Sequence, residues 1–359
     1  MSLFNLNPKE SPEELFGREQ EIEDLVRLIQ ARRWVAVLGP RMVGKTSLLK
    51  ATGATLRRQN RKVLYVNLWG AKGTNDFLNA LARALNENKS IIQKIKSAKI
   101  DGATVGSNGL SISLSKKPMI TLWDILDALG RQKEEYVIQL DEVQELIAIS
   151  GRLLKILANL FNTHPNITFV FTGSMFGLIK TLLEPESASP LYGRSPAKVN
   201  VQPFNSESSK QFLRRGFEQC NTAISENAIT NAVERLDGIP GWLTLYGNKV
   251  CVQRLSSEKA FEETETEAFR IVNDELEHFF QNRDRQAYLA ALKAAAAFSS
   301  WTEIKGAVSI VKGSIVNDST IYRIIENLKA AMLIMEEKGR YRVEDPMLRS
   351  LLLTGAHGV

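Results

Sequence analysis

The segment with the clearest chemistry is a glycine-rich loop that ends in lysine and threonine. Its residues, with the serine that follows, are Gly39, Pro40, Arg41, Met42, Val43, Gly44, Lys45, Thr46 and Ser47. The glycines let backbone N–H groups surround phosphate oxygens, and a following helix adds the positive potential of its N-terminus. Lys45 can reach the β- and γ-phosphates of a nucleoside triphosphate, and the Thr46 hydroxyl suits Mg²⁺. Residues 39–46 match the P-loop pattern, so we expect this segment to bind nucleotide.

Two adjacent carboxylates, Asp141 and Glu142, follow the mostly apolar segment 136–140. If that segment is a strand of a parallel sheet, both carboxylates lie at the edge of the sheet where ligands bind. We expect Asp141 to hold Mg²⁺ through water and Glu142 to polarise the attacking water. A glutamate directly after the metal-binding aspartate favours an NTPase over a kinase. The alternative is that the Asp-Glu pair caps the next helix.

A third polar position follows the apolar segment 167–171, which ends in Thr172-Gly173-Ser174. A hydroxyl at the tip of this strand can hydrogen-bond the γ-phosphate or the attacking water. We expect Thr172 to have this role, with Ser174 as the second choice. Alternatively, these hydroxyls cap the helix that begins at Ser174.

Short apolar segments alternate with helical patterns around these residues. This alternation predicts a three-layer α/β domain with a parallel sheet. The predicted strands are 34–38, 62–68, 136–140, 167–172 and 198–201. The predicted helices are 18–30, 45–58, 74–86, 121–130, 150–162 and 174–183. The motif positions predict the five-stranded ASCE arrangement of P-loop NTPases, with strand order 5-1-4-3-2.

Three domains are predicted along the chain. Residues 1–204 form the P-loop core, which carries a β-hairpin insertion at about 101–117, where Gly and Ser alternate with apolar residues. Helical periodicity alone follows, at 206–219, 225–236, 242–250 and 258–280, so we expect a helical lid domain at 205–281. Residues 282–359 show three helices and a β-hairpin, which is the order of a winged helix.

Composition sets wide limits on the function. The 359 residues are 44% hydrophobic and 24% charged, with a net charge of +6, which is typical of a globular protein. The 2 cysteines and 3 histidines cannot supply a disulfide framework or a zinc site. We therefore expect a reducing, cytoplasmic setting. No signal peptide pattern and no apolar run of about 18 residues are present, so no membrane partner is expected.

Four further segments, together with the P-loop, resemble the archaeal ATPase family within the STAND branch of AAA+-like NTPases. They are LFGREQEI at 15–22, PLYGR at 190–194, GIPGWL at 238–243 and DPMLR at 345–349. The resemblance covers nearly the whole chain. It implies ATP or ADP and Mg²⁺ as ligands, and a lid that closes on the nucleotide.

The resemblance also implies roles for individual residues. Phe16, Gly17 and Arg18 would lie near the adenine, although Arg18 could instead begin a solvated helix face. Arg194 could approach the γ-phosphate in cis, act in trans as an arginine finger of a neighbouring subunit, or form a surface ion pair. Pro240 would line the base pocket, or simply start a helix.

Three functions remain open on the sequence. The leading hypothesis is a slow Mg²⁺-dependent ATPase whose nucleotide state repositions the lid and the winged helix, with self-association or a protein partner. The second is a DNA-binding initiator or regulator that uses nucleotide as a structural ligand. It is less favoured, because the predicted third helix of the winged helix presents only Arg323 and Lys329 beside the acidic Glu326. The third is a scaffold that binds ADP and seldom turns over.

Overall fold

The computed structural model describes residues 2–95, 100–106, 109–112, 117–173, 178–281 and 283–355. The chain divides into two compact units. The first, called the α/β unit, contains Lys9–Leu38 and Lys45–Val201. The second, called the helical unit, contains Met1–Pro8, Gly39–Gly44 and Gln202–Val359.

The α/β unit is built on a parallel five-stranded sheet. Its strands and those of its hairpin are β1 (Val35–Leu38), β2 (Lys62–Asn67), β3 (Ala103–Gly106), β4 (Gly109–Ile112), β5 (Tyr136–Asp141), β6 (Ile167–Thr172) and β7 (Ala197–Asn200). The order in the sheet is β2-β5-β6-β1-β7. If these five strands are numbered 1 to 5 along the chain and the sheet is read from β7, the order is 5-1-4-3-2. The predicted strand order is therefore confirmed. Strands β1, β5 and β6 are buried along their whole length, as central strands covered on both faces must be.

Seven α-helices belong to the described part of the α/β unit. They are α1 (Glu19–Gln30), α2 (Lys45–Arg58), α3 (Thr74–Asn86), α4 (Lys89–Ile95), α5 (Pro118–Gly130), α6 (Ser150–Thr163) and α7 (Leu178–Leu183). The predicted hairpin is present as β3 and β4. Asn86, at the end of α3, fixes β4 because its amide accepts the Leu110 N–H at 2.8 Å and donates to the Leu110 carbonyl at 3.0 Å.

The helical unit begins with helices α8 (Ser206–Gln219), α9 (Glu226–Leu236), α10 (Pro240–Cys251) and α11 (Ser257–Phe280). Three of them start at a polar N-cap whose side-chain oxygen accepts a backbone N–H of the first turn. These caps are Asn205, Ser225 and Ser256. Such caps satisfy N–H groups that have no partner within the helix.

The C-terminal part of the helical unit has the element order predicted for a winged helix. Its elements are α12 (Arg285–Ala296), β8 (Ser299–Ser300), α13 (Trp301–Lys312), α14 (Asp318–Ala330), β9 (Ile334–Glu337), β10 (Arg340–Val343) and α15 (Pro346–Thr354). Strand β10 pairs antiparallel with both β8 and β9. Helix α14 buries Ile321, Ile324, Ile325 and Leu328, the face that its helical spacing predicts. The name winged helix stays a prediction.

The two units differ from the three consecutive domains expected. The boundary expected near residue 204 lies between Val201 and Gln202. The lid and the C-terminal segment form one unit because α15 packs against α9, α11 and α12. Two short stretches, before residue 9 and at residues 39–44, also belong to this unit although they are distant in sequence.

The N-terminal stretch joins the helical unit through Phe4, which is 1% exposed. Its ring centroid lies 5.8 Å from that of Phe212 and 5.0 Å from that of Phe217. Gly216 and Gly247 flank the ring, and a Cβ on either would lie within 2.5 Å of it. The aromatic ring therefore occupies space that two glycines leave free.

A disulfide joins Cys220 to Cys251, whose Cα atoms are 6.0 Å apart. Cys220 follows α8 and Cys251 ends α10, so the bond links the C-terminal ends of these two helices. The expectation that the two cysteines form no disulfide is therefore wrong, because the fold brings together two residues that lie 31 positions apart in sequence.

One helical stretch among the described residues, Val143–Thr163, is long and apolar enough to cross a membrane by length and composition. Its first seven residues, Val143–Ile149, are a 3₁₀ helix, and α6 follows. Leu153, Leu157 and Leu160 of this stretch are core residues of the α/β unit.

Candidate active site

Asp141 is the last residue of β5, at the carboxyl edge of the sheet, and is 2% exposed. Three hydroxyl groups donate hydrogen bonds to its carboxylate. Thr46 donates to Oδ2 at 2.9 Å, Tyr65 donates to Oδ2 at 2.6 Å, and Thr172 donates to Oδ1. A buried carboxylate needs such donors, because burial without partners is costly.

The sheet brings these groups together. Strand β5 lies between β2 and β6, with Asn67 beside Asp141 and Phe171 beside Leu140. Tyr65 is two residues before Asn67, so both side chains share one face of β2. Thr46 is the second residue of α2, which begins at Lys45, within the P-loop pattern.

Tyr65 keeps its proton and acts as a donor. Burial raises the pKa of its phenol above the ordinary value of 10.0, and the negative charge of Asp141 raises it further. A neutral phenol bonded to a carboxylate has the donor and acceptor roles that this contact requires.

The Thr46 and Asp141 oxygens fit a magnesium site. Hydroxyl and carboxylate oxygens are hard ligands, and Mg²⁺ in nucleotide sites uses one or two carboxylates together with substrate phosphates and water. Within the described residues, no group of three or more His, Cys, Asp and Glu side chains is placed to hold a metal by itself. The donors at this edge therefore suit a cation that arrives with nucleotide.

Glu142 has a left-handed backbone, with φ 59° and ψ 47°. Its N–H donates to Oγ1 of Thr172 at 3.2 Å, and its carboxylate accepts from Nε2 of Gln144 at 2.5 Å. Its side chain makes no cap hydrogen bond to the helix that starts at Val143. The Glu142 side chain therefore does not cap this helix.

Thr172 is fully buried and lies where the prediction placed it, beside the two carboxylates. Its hydroxyl donates to Asp141 and accepts the N–H of Glu142. Thr172 thus positions both acidic residues, and its contact with phosphate stays a prediction. Ser174, the second choice, lies outside the described residues.

Three of residues 39–44 in the P-loop have a positive φ. The values are 156° at Gly39, 59° at Met42 and 99° at Gly44. Within the helical unit, the Met42 carbonyl accepts the Gly241 N–H at 2.9 Å. Arg41 forms an ion pair with Glu275 of α11. The phosphate loop is therefore directly bonded to two helices of this unit.

The GIPGWL segment starts helix α10, with Pro240 in the first turn. A Cβ on Gly241 would lie 2.7 Å from the Met42 Cβ and 2.8 Å from its carbonyl oxygen, so only glycine fits here. The start of α10 thus contacts the P-loop. The role of Pro240 toward the base stays a prediction.

The DPMLR segment begins with Asp345, which lies at the start of α15. This carboxylate caps α15 by accepting the N–H groups of Met347 at 2.7 Å and Leu348 at 3.2 Å. Burial raises the pKa of Asp345, against the backbone hydrogen bonds from Leu348 and Met347, which lower it.

The remaining predicted nucleotide contacts lie in the α/β unit. Arg18 precedes α1 and bonds Glu21 at 2.8 Å, with its side chain 7% exposed, so it is not part of a solvated helix face. Phe16 is half-buried and Gly17 has φ 62°. Ser47 accepts the N–H of Lys9 at 3.1 Å, and Lys45 begins α2.

Arg194 lies at the amino end of the parallel strands, whereas Asp141 lies at their carboxyl end. It precedes β7, whose first residue Ala197 pairs with Val35, the first residue of β1. Its guanidinium lies 5.7 Å from the ring centroid of Phe161. Because strand β5 spans roughly 20 Å at about 3.3 Å per residue, this position does not support contact with the γ-phosphate in cis. Action in trans stays a prediction.

Three contributors to the site were missed by the sequence analysis: Tyr65, Gln144 and Glu275. Gln144 carried a signal, since it is a polar residue two positions after Glu142. Tyr65 is the one aromatic residue in β2. Nothing in the spacing of Glu275 on α11 indicates its pairing with Arg41.

A parallel 5-1-4-3-2 sheet with a P-loop after its first strand and an Asp-Glu pair after its third defines a P-loop ATPase. A profile of the ATPase domain found predominantly in Archaea matches residues 15–245. The chain belongs to this family. It is also 30% identical to a Walker-type ATPase of Pyrococcus abyssi, with a TM-score of 0.79 over 98% of this chain and 99% of that one.

More distant structures share the fold. The ORC2 protein of Aeropyrum pernix, in its ADPNP and ADP complexes, is 17% identical with a TM-score of 0.66, covering 98% of this chain and 95% of that one. A Cdc6 protein of Pyrobaculum aerophilum is 14% identical with a TM-score of 0.51, covering 98% and 97%. A search of curated proteins found no significant match.

Proposed function

We propose that the protein hydrolyses ATP slowly with Mg²⁺ in the cytoplasm and acts as a nucleotide-dependent switch. The observation that carries the proposal is the hydrogen bond of 2.9 Å between Thr46, which follows the P-loop lysine, and Asp141, which precedes Glu142. Membership of the archaeal ATPase family supports ATP as the nucleotide.

In the proposed reaction, Glu142 accepts a proton from water while the water oxygen bonds to the γ-phosphorus. The bond from phosphorus to the β-γ bridging oxygen breaks, and ADP and phosphate leave. Lys45 and the P-loop N–H groups bind the phosphate charge, and Thr172 holds Asp141 and the Glu142 backbone in place. Mg²⁺, held by Thr46 and Asp141, would neutralise charge on the phosphates.

Two variants test this proposal. Glu142→Gln keeps the shape of the side chain but removes the base, so ATP binding should remain while hydrolysis is suppressed. Lys45→Ala should abolish nucleotide binding. Turnover at the wild-type rate in Glu142→Gln, or wild-type ATP affinity in Lys45→Ala, would contradict the assigned roles.

The contacts of the P-loop support the switch. Arg41 and Met42 are bonded to α11 and to the start of α10, so a change of the loop on binding γ-phosphate would be transmitted to these helices. Hydrogen exchange of residues 238–243 and of α11 should therefore differ between the ADP state and the state with a non-hydrolysable ATP analogue. Equal exchange in both states would refute the switch.

Self-association is the second part of the proposal, and it is supported by the PLYGR resemblance, which allows Arg194 to act in trans on a neighbouring subunit. Turnover per molecule should then rise with protein concentration, and Arg194→Ala should remove this rise while ADP affinity is unchanged. A rate independent of concentration would exclude the role in trans.

DNA binding is the second candidate function. One structural relative at 14% identity, with a TM-score of 0.52, is the ORC1 protein of Aeropyrum pernix in complex with DNA. In this chain, however, Arg340, Lys329 and Lys305 of the C-terminal segment each pair with an acidic neighbour. DNA affinity with a steep salt dependence, reduced in Arg323→Ala and Arg340→Ala, would favour this function. No binding at low salt would exclude it.

A further inference from the structure

The side chain of Gln144 lies between the carboxylate of Glu142 and the backbone of Gly173. Its Nε2 donates to Oε2 of Glu142 at 2.5 Å. A carboxylate without a proton only accepts hydrogen bonds, so this contact fixes which end of the amide faces Glu142.

The other end of the amide is packed closely against the end of β6. Oε1 of Gln144 is buried and has no hydrogen-bond partner within the described residues. A Cβ on Gly173 would lie 2.1 Å from this oxygen, so the glycine leaves the space that the amide occupies. Among the described residues, this acceptor is therefore buried without a partner, which is uncommon in native structures.

The backbone of Glu142 is constrained as well. Its φ of 59° is uncommon for a residue with a side chain, and its N–H is bonded to Thr172. The start of the side chain is thereby fixed by β5 and β6, while its carboxylate is fixed by Gln144. Both ends of the glutamate are held by groups at the carboxyl edge of the sheet.

We propose that Gln144 is a positioning residue that holds the Glu142 carboxylate in the orientation used for hydrolysis. The inference rests on the proposed function, in which Glu142 is the base. A base must lie within hydrogen-bond distance of the attacking water, and a misplacement of about 1 Å can cost about 100-fold in rate.

The test is Gln144→Met, which keeps an unbranched side chain of similar length and removes the amide. Single-turnover hydrolysis should fall about 10- to 100-fold, while ADP affinity and the melting temperature are unchanged. Gln132→Met is the matched control, because Gln132 donates to the carbonyl of Ala128 at 3.1 Å in the same unit, and it should hydrolyse at the wild-type rate. If the Met variant melts early, Gln144→Ala replaces it.

A double-mutant cycle separates positioning from a general structural effect. In the Glu142→Gln background, Gln144→Met should cause no further loss of the residual rate. An equal loss in both backgrounds, an unchanged rate or a faster rate in Gln144→Met would each overturn the inference. If hydrolysis is suppressed in Glu142→Gln but proceeds at the wild-type rate in Gln144→Met, only this inference is refuted. If Glu142→Gln hydrolyses ATP at the wild-type rate, the role of Glu142 as the base is refuted as well.

Discussion

The phenolic hydroxyl of Tyr65 donates a hydrogen bond of 2.6 Å to Oδ2 of Asp141, an oxygen that Thr46 also contacts. Hydrogen bonds to charged groups contribute about 1.5–3 kcal/mol, against about 0.5–1.5 kcal/mol for neutral pairs. Tyr65→Phe should therefore lower the free energy of unfolding by about 1.5–3 kcal/mol, as measured by urea denaturation.

Tyr246→Phe is the control for this prediction. Its hydroxyl contacts the neutral Ser257 hydroxyl at 2.6 Å, so its loss should be about 0.5–1.5 kcal/mol. Equal losses in the two variants would show that the charge of Asp141 does not strengthen the Tyr65 contact.

Gly241 faces the P-loop at a distance that excludes a methyl group. Gly241→Ala should push Met42 away and weaken its bond to the Gly241 N–H, and overpacking of this kind costs about 1–3 kcal/mol. We expect ADP affinity to fall by about tenfold or more in titration calorimetry.

Gly306→Ala is the matched control, since a Cβ there meets nothing within 4 Å and the residue lies inside α13. It should raise the free energy of unfolding by about 0.5–1 kcal/mol and leave ADP affinity unchanged. Wild-type affinity in Gly241→Ala would mean that the nucleotide does not depend on this contact.

Asp345 predicts a specific pH dependence of stability. Its pKa is raised in the folded state above the ordinary value of 3.8, which applies to the unfolded chain. At pH values between 3.8 and the raised pKa, the folded protein therefore binds more protons than the unfolded one. The free energy of unfolding should therefore decrease as the pH rises through this window. In Asp345→Asn, which retains an oxygen to cap α15, urea denaturation at several pH values should show a smaller decrease. An identical slope in both proteins would contradict the assignment.

The Cys220–Cys251 disulfide should stabilise the helical unit. The two cysteines are 31 residues apart, and closing a loop of this length in the unfolded chain is worth roughly 3–4 kcal/mol in the chain-entropy account. Dithiothreitol should lower the melting temperature of the wild type and leave that of a Cys220→Ser, Cys251→Ser variant unchanged. Thiol titration in denaturant checks the bond directly, and two free thiols without reductant would disprove it.

Helical periodicity predicted the bounds of several helices correctly. Helices α2, α3 and α8 begin and end as predicted, and the strand order followed from the chemistry of the motifs rather than from periodicity. Helices α4 and α15 were missed: α4 is a short segment of seven residues, and α15 begins inside the DPMLR motif, which was interpreted only as a family signature.

The parts of the site that escaped prediction depend on pairing between distant elements. Tyr65 reaches Asp141 only because β2 and β5 are neighbours in this register. The association of residues 39–44 with the helical unit depends on contacts with α10 and α11, over 190 residues away in sequence. Arg194 was assigned by motif, but its position follows from the direction of β7.

The burial of Phe4 has a practical consequence for work with fragments of this protein. A recombinant piece that begins at Gln202 contains every helix from α8 to α15, yet it lacks the ring that fills the space beside Gly216 and Gly247. Such a piece would expose Phe212 and Phe217 and lose the hydrogen bond that the Asn248 side-chain amide donates to the Phe4 carbonyl. Phe4 and the helices from α8 onward must therefore both be synthesised before this half of the molecule can complete its core.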